Sequence, residues 1–292
     1  MRCSLTIALE KMKINIFPIS LFSSISIIIL WVFPSLAASL SVSDLFLKIE
    51  NFNRPSLGAI SRGDNQIINI AWNGISQTIL RGSAFFQSDA LESFGQIEFT
   101  NQTLGFGSNF LGRSDIQASL GSLFFVPANQ ALSFDFTILR QLSNSQSESQ
   151  LNTVSSASAV NFFLEEQFLI NSGNGSGILP KELDILNQIN SGLSASIPEK
   201  YSRFLIGNNI TINSYVENII STDQPQLITT LLTGSFQWTA IRDTMMFLSV
   251  SAQSCTYSSD QPRTCVIIPE PRYHGIIFFL IVPIFLLLRT IK

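Results

Sequence analysis

Histidine is almost missing from this 292-residue sequence, and its single copy, His274, lies near the C-terminus. Catalytic serine and cysteine residues commonly use an imidazole as general base, and many zinc sites include an imidazole ligand. The body of the chain therefore lacks the residue for a Ser-His-Asp triad, a Cys-His pair or a histidine-containing zinc site. The sequence also has no P-loop and no Gly-x-Gly-x-x-Gly that opens a helix after a strand. We expect neither a cofactor nor a metal.

Charged residues are also scarce, at 13% of the sequence against about a quarter in typical domains. Residues 38–268 hold 11 Lys and Arg against 18 Asp and Glu, a net charge of −7. These charges form no basic stripe, so nucleic acid and anionic membrane surfaces are not expected partners. No spacing singles out a carboxylate pair, so we expect a protein that is not an enzyme. A carboxylate-based hydrolase remains open as an alternative.

The N-terminal segment has the pattern of a secretory signal peptide. Lys11 and Lys13 precede a stretch over 14–33 that is almost wholly apolar or Ser. Ser35 and Ala37 then place small residues at the two positions that signal peptidase inspects. The pattern predicts export, and an uncleaved membrane anchor is the alternative.

The signal peptide is predicted to cover residues 1–37, with cleavage after Ala37 or Ala38. Glu10 fits poorly in the basic region of a signal peptide, which indicates that Met12 is the true start. The mature body would then begin at about residue 38 and extend to residue 268.

Only two cysteines, Cys255 and Cys265, lie in the predicted mature region. Exported proteins fold in an oxidising compartment, where paired cysteines tend to form disulfides. The intervening "TYSSDQPRT" contains turn-forming residues, so its flanking segments can pair as a hairpin. The spacing therefore predicts a Cys255–Cys265 disulfide.

The mature region has the pattern of short strands separated by Asn, Gly, Ser and Asp clusters. In "ALSFDFTIL", Phe134 and Phe136 point to one side and Asp135 to the other, as in a half-buried strand. Runs such as "DLFLKIE", "FGQIEFT", "QLITTLLTGSFQWTA" and "TMMFLSVSA" are similar. The pattern predicts an all-β fold, an antiparallel β-sandwich of jelly-roll type.

Two segments interrupt this strand pattern. The polar "RQLSNSQSESQLNTVSSAS" predicts a long loop. In "LPKELDILNQI", Pro180 suits a first helical position, and Leu179, Leu183 and Leu186 fall on one helical face. These residues predict a short amphipathic helix inserted between strands.

Trp72 and Trp238 are the candidate ligand-binding residues, because tryptophan rings can stack on sugars. Aromatic residues are also favoured in strands and bury large areas. Core packing is therefore the competing interpretation for both.

The C-terminal tail contains an uncharged apolar run over residues 275–288. At about 1.5 Å per helical residue, 14 residues span about 21 Å, against about 30 Å for a hydrocarbon core. Arg289 and Lys292 would keep the far end on the cytoplasmic side. The run predicts a marginal transmembrane helix that is better suited to a temporary stop than to permanent anchoring.

Pro269-Glu270-Pro271, followed by the apolar run and a basic end that includes Arg289, resembles the PEP-CTERM sorting signal of bacterial exported proteins. The segments "FFVPANQALSFDFTIL", "TGSFQW" and "MMFLSVSA" are similar to strands in the β-sandwich domains of cyanobacterial members. The resemblance implies that an exosortase, a membrane cysteine transpeptidase, processes the chain near the Pro-Glu-Pro. Residues 269–292 would then be the sorting signal.

Together these patterns predict an exported, non-enzymatic protein of the cell surface or extracellular matrix, held transiently in the inner membrane. Signal peptidase and exosortase would be its processing enzymes, and extracellular polysaccharide is a further candidate partner. A lectin-like, carbohydrate-binding module that uses the same export route is the alternative.

Overall fold

A computed structural model describes residues 38–88, 93–146, 153–167, 177–178, 183–191, 200–220, 226–259 and 265. Every regular element in these ranges is a β-strand. None of these residues forms a helix of the length and apolar character that crossing a membrane requires. The predicted signal peptide, and the predicted membrane helix at 275–288, lie outside the described residues.

Eleven antiparallel strands form one continuous sheet. They are β1 (Ala38–Glu50), β2 (Ser56–Gln87), β3 (Phe94–Val126), β4 (Ala131–Gln146), β5 (Thr153–Gln167), β6 (Gly177–Ile178), β7 (Leu183–Ser191), β8 (Lys200–Ile206), β9 (Ile210–Ile220), β10 (Gln226–Thr239) and β11 (Thr244–Ser259). The strand order is β8-β7-β5-β11-β3-β1-β4-β10-β9, with β2 added to β3 and β6 to β5. The sheet curls into a half-barrel. The predicted all-β, antiparallel class is confirmed.

The long strand β3 connects the two parts of this sheet. Residues 95–106 of β3 pair with β1, residues 111–126 pair with β11, and β2 follows the opposite edge. Odd-numbered residues such as Phe99 contribute to the core in the first part, and even-numbered residues such as Leu120 do so in the second. The change occurs around Gly107 and Asn109, whose φ angles are +92° and +56°. Glycine and asparagine are the residues that adopt this left-handed conformation most readily.

The core lies inside the curled sheet, where aromatic rings from facing strands meet. Phe134 and Phe136 of β4 are 6.4 Å and 5.3 Å, centroid to centroid, from the ring of Phe162 in β5. Phe236 of β10 stacks on Phe134 at 4.9 Å. Phe134 and Phe136 are almost fully buried, whereas Asp135 lies on the opposite face and is only partly buried. The predicted alternation in this strand is confirmed.

The predicted short helix is wrong for the described part of its segment. Residues 183–191 form β7, which pairs with β5 on one side and β8 on the other. The leucine spacing that suggested a helix is too short to be decisive, because apolar residues at 183, 185 and 189 also fit a period of two. Pairing along two neighbouring strands decides the conformation.

The predicted long loop over 140–158 is also wrong for most of its length. Residues 140–146 complete β4 and residues 153–158 begin β5. Small hydroxyl side chains enter a protein interior at low cost when they find hydrogen-bond partners. Ser155 fits this explanation, because its Oγ accepts a hydrogen bond from the amide of Cys265 at 3.1 Å.

Candidate functional site

The strand β2 folds back on itself, so that its first half faces its second half. At the open end, the Ser88 hydroxyl donates to the Ser56 carbonyl oxygen at 3.0 Å. Near the bend, Asn69 Nδ2 donates to Thr78 Oγ1 at 2.6 Å, and the Ser76 hydroxyl donates to Asn69 Oδ1 at 3.1 Å. We call residues 56–70 the first arm and residues 75–87 the second arm.

A cleft of about 260 Å³ lies between the two arms. Residues 61–65 form one wall and residues 80 and 82–84 the other, and Phe99, Ile116 and Ala118 of β3 complete it. Pockets for drug-sized ligands are usually about 300–1,000 Å³. The cleft therefore suits a small group, such as one side chain or a small molecule.

Two glycines in this cleft have different surroundings. A Cβ on Gly82 would lie 2.4 Å from Ile116 Cδ1 and 3.0 Å from Phe99 Cδ1, so only glycine fits there without movement. A Cβ on Gly63 would meet only the Gln117 carbonyl oxygen, at 3.9 Å. A side chain at position 63 would therefore fill the cleft, whereas one at position 82 would disturb the core.

The two candidate ligand-binding tryptophans do not form one site. Trp72 lies at the bend of β2 and is 77% exposed. Trp238 is partly buried and packs against the core. The strands β3, β1 and β4 separate the strands that carry them. The core interpretation therefore fits Trp238, and Trp72 alone has a ring that is open to a ligand.

One end of the interior is lined by hydroxyl and amide groups instead of apolar side chains. Thr103 Oγ1 and Thr256 Oγ1 are 2.7 Å apart, and Thr256 also donates to Asn101 Oδ1 at 2.8 Å. Ser39 Oγ and Ser258 Oγ are 2.5 Å apart. These contacts join β1, β3 and β11 through neutral groups that hydrogen-bond one another, which rigidifies a buried region. The arrangement supplies no general acid or base.

Arg140 is the one large charged side chain that the described interior encloses, at 2% exposure. It lies on β4 between the apolar and hydroxyl-lined parts, and Thr230 stands beside it in β10. Burial lowers the pKa of Arg140 well below its ordinary value, to about 10, while Tyr215 and Glu217 act in the opposite direction. Tyr215 and Glu217 both lie on the edge strand β9, where Glu217 pairs with Thr230 of β10. Sequence reasoning missed Arg140 because its segment is polar and was predicted to be a loop.

The two cysteines of the mature region form a disulfide with a Cα–Cα distance of 5.8 Å. Both are buried, in a small cluster with Ala157 and Tyr257. This agrees with the predicted bridge. The residues on either side of Cys265 lie outside the described residues, so the predicted hairpin is untested.

The predicted sorting residues Pro269, Glu270, Pro271 and Arg289 also lie outside the described residues. Within the described ranges, no group of three or more His, Cys, Asp or Glu side chains is arranged to hold a metal ion. The chain matches no protein-family model, no curated protein and no solved structure.

Two glycines within the strand pattern of residues 56–87 mark the cleft in the sequence. Arg62-Gly63 and Arg81-Gly82 are two Arg-Gly pairs in a segment that contains only one other charged residue, Asp64. A glycine within a strand indicates a close backbone approach or a missing side chain. Here the two glycines lie in the facing walls of one cleft.

Proposed function

We propose that this protein is an exported, non-enzymatic component of the cell surface or extracellular matrix. The observation that carries the proposal is the Cys255–Cys265 disulfide. Disulfides persist in oxidising compartments and are rare in the cytosol. This chemistry is in accord with the signal-peptide pattern at residues 1–37.

We also propose that the tail acts as a PEP-CTERM sorting signal. Proline lacks an amide donor and disfavours both helix and strand, so Pro269 and Pro271 would keep the junction extended just outside the membrane. Glu270 would supply a charge that an exosortase recognises, and Arg289 would hold the far end inside. After processing, the body would remain at the envelope, the surface or the matrix.

The body would serve as a rigid scaffold, for which we propose a β-sandwich of jelly-roll type. The support for this finer description is the contact between β4 and β5, whose inner faces meet through Phe134, Phe136 and Phe162. Such packing of opposed sheet faces is typical of sandwiches.

Mass spectrometry of the protein from its native cell tests the proposal. We expect a mature N-terminus at residue 38 or 39, an intact disulfide and no peptide from residues 275–292. A Glu270→Gln variant should accumulate unprocessed and membrane-bound, whereas Glu50→Gln in the body should be processed normally. An intact Lys292 on membrane-held protein, in cells that contain an exosortase, contradicts the sorting role.

The exposure of Trp72 favours carbohydrate binding as a second candidate function. An exposed tryptophan ring offers an apolar face and one hydrogen-bond donor, which suits a sugar ring. On a glycan array, Trp72→Ala should abolish binding if this function is correct. A folded protein that binds no glycan excludes it.

A further inference from the structure

The outer edge of β2 offers a long row of backbone groups for pairing. Among the described residues, β2 pairs with β3 alone, and 30 of its 32 residues have a partner there. Native proteins usually block such edges with lysine, proline or bulges, because an open edge pairs with other chains. Residues 56–87 contain no lysine and no proline, and their only register shift lies at the start, between Ser56 and Gly58.

The same strand exposes large apolar side chains along its length. Those above about a third exposure are Leu57, Ile60, Ile67, Ile70, Trp72, Ile75, Ile79 and Phe85. Isolated apolar residues on a surface are ordinary, but a group of them on one face indicates an interaction site. Because alternate residues face opposite sides, Ile60 and Ile70 face the same side as Asp64, and Ile79 and Phe85 face the same side as Arg81. The open edge and these apolar residues occur on one strand.

Contacts between the two arms of β2 show which residues of the first arm lie level with which residues of the second arm, measured along the direction of the arms. Ser56 contacts Ser88 at one end, and Asn69 contacts Ser76 and Thr78 at the other. Consider a second copy related by a two-fold axis parallel to the arms. The first arm of one copy then lies beside the second arm of its partner, and the two run antiparallel. The two-fold axis keeps each residue at its level along the arms, so residues that are level in one copy become pairing partners between copies. The partners are Ile60 with Phe85, Asp64 with Arg81 and Ile70 with Ile75.

The opposed charges in this register point to the same side of the joint sheet. Asp64 lies opposite Gln117 in β3, and Arg81 lies opposite Thr100. Their neighbours Gly63 and Gly82 are instead opposite Ala118 and Phe99, which belong to the core. Because alternate residues of a strand face opposite sides, both Asp64 and Arg81 face outward. Directly opposed side chains have Cβ atoms about 4.5–5.5 Å apart, within reach of an ion pair.

We propose that β2 is the interface of a homodimer in which the first arm of each copy pairs with the second arm of the other. The two-fold axis forms the Asp64–Arg81 pair twice and extends the sheet across both copies at both arms. An isologous contact of this kind closes on itself and leaves neither arm of β2 free for further growth. The other edge strand with described side chains, β9, carries one charged residue, Glu217, and so has no opposite charge for self-pairing.

Charge reversal tests the proposed register. The full chain, in a mild non-ionic detergent, is studied by sedimentation at about 1–100 µM. Asp64→Arg and Arg81→Asp should each raise the dissociation constant of the dimer at least about tenfold, because each places like charges opposite each other twice. The double variant should return to within about threefold of the unchanged protein, since the pair is restored with its charges exchanged.

Arg62→Asp is the matched control. It makes the same charge change as Arg81→Asp and lies on the same arm as Asp64, but the position opposite it holds Ser83, so the dissociation constant should change less than about threefold. Circular dichroism checks that each variant keeps its β signal, and Asp64→Asn and Arg81→Gln replace any that does not. A monomer at the highest concentration, open-ended polymers, or single reversals no stronger than the control each overturn the proposal. A double variant that stays as weak as the single ones overturns the register.

Discussion

The strands β4 and β2 differ in how much of their surface the protein buries. Alternate residues of β4 from Leu132 to Leu142 are almost fully buried, and β4 has a hydrogen-bonded neighbour on each side. No residue of β2 is fully buried, and most are exposed. A strand that is paired on both edges with one face in the core contributes stability to the monomer. A strand such as β2, exposed along one edge, is available for contacts with other molecules.

The comparison also explains which parts of the fold the sequence could predict. The strand β4 can be predicted from the alternation of Phe134, Asp135 and Phe136, because one face of the strand is apolar and the other is polar. In β2 the isoleucines at 67, 70 and 75 keep no period of two, so the sequence suggests separate short strands instead of one long strand. The length of β2 is determined by its pairing with β3, in which the core-facing side changes at Gly107 and Asn109. The spacing of apolar residues within β2 does not reveal this pairing.

Equal truncations in the two strands should give the largest contrast in stability. Phe134→Ala or Phe136→Ala should lower the free energy of unfolding by about 3–5 kcal/mol, because each leaves a cavity in the aromatic cluster. Phe85→Ala in β2, where the residue is 41% exposed, should cost less than about 1 kcal/mol. Asp135→Ala should cost equally little. Denaturant unfolding measures all four, and similar losses at positions 85 and 134 would mean that β2 supports the core.

Removal of the disulfide should have the next largest effect. Cys255 lies on β11, a strand as buried as β4, and is bonded to Cys265. Cys255→Ser combined with Cys265→Ser should lower the free energy of unfolding by about 2–3 kcal/mol, because a short loop is no longer closed in the unfolded chain. Unfolding with and without reductant gives the same comparison in the unchanged protein. If both cysteines react with an alkylating reagent in denatured, unreduced protein, the bridge is absent.

Replacing the buried Arg140 with a neutral residue should stabilise the protein, unlike the preceding substitutions. The folded-state pKa of Arg140, about 10, is below its ordinary value, so the folded protein disfavours the charged form by an amount on the order of a few kcal/mol. This penalty is fully present below about pH 10 and is relieved as the pH rises from there towards the higher pKa of the unfolded chain. Arg140→Met should therefore raise the free energy of unfolding by about 1–3 kcal/mol, part of the gain being offset by lost contacts.

The gain for Arg140→Met should stay constant between about pH 6 and pH 9, because Arg140 does not titrate in this range. Arg81→Met, the exposed counterpart on β2, should change stability by less than about 0.5 kcal/mol. Thermal unfolding at several pH values measures both. A loss of stability in Arg140→Met would show that the buried charge is compensated by its surroundings.

The smallest contrast lies within β2 itself. Gly82→Ala should lower the free energy of unfolding by about 1–3 kcal/mol, because its methyl group would overlap the side chains of Ile116 and Phe99. Gly63→Ala enters open space and should be neutral or slightly stabilising, since it reduces the freedom of the unfolded chain. Equal effects at both glycines would mean that the two walls of the cleft are not arranged as described.

Native-state hydrogen exchange tests the contrast between β2 and β4 most directly. In the full chain at about 1 µM, amides of β4 should exchange only through global unfolding, whereas those of residues 61–85 should exchange orders of magnitude faster. At about 100 µM the β2 amides should become protected through pairing with a second copy, while β4 stays unchanged. If β2 amides are as protected as those of β4 at the lower concentration, β2 is part of the cooperative core and the account is wrong.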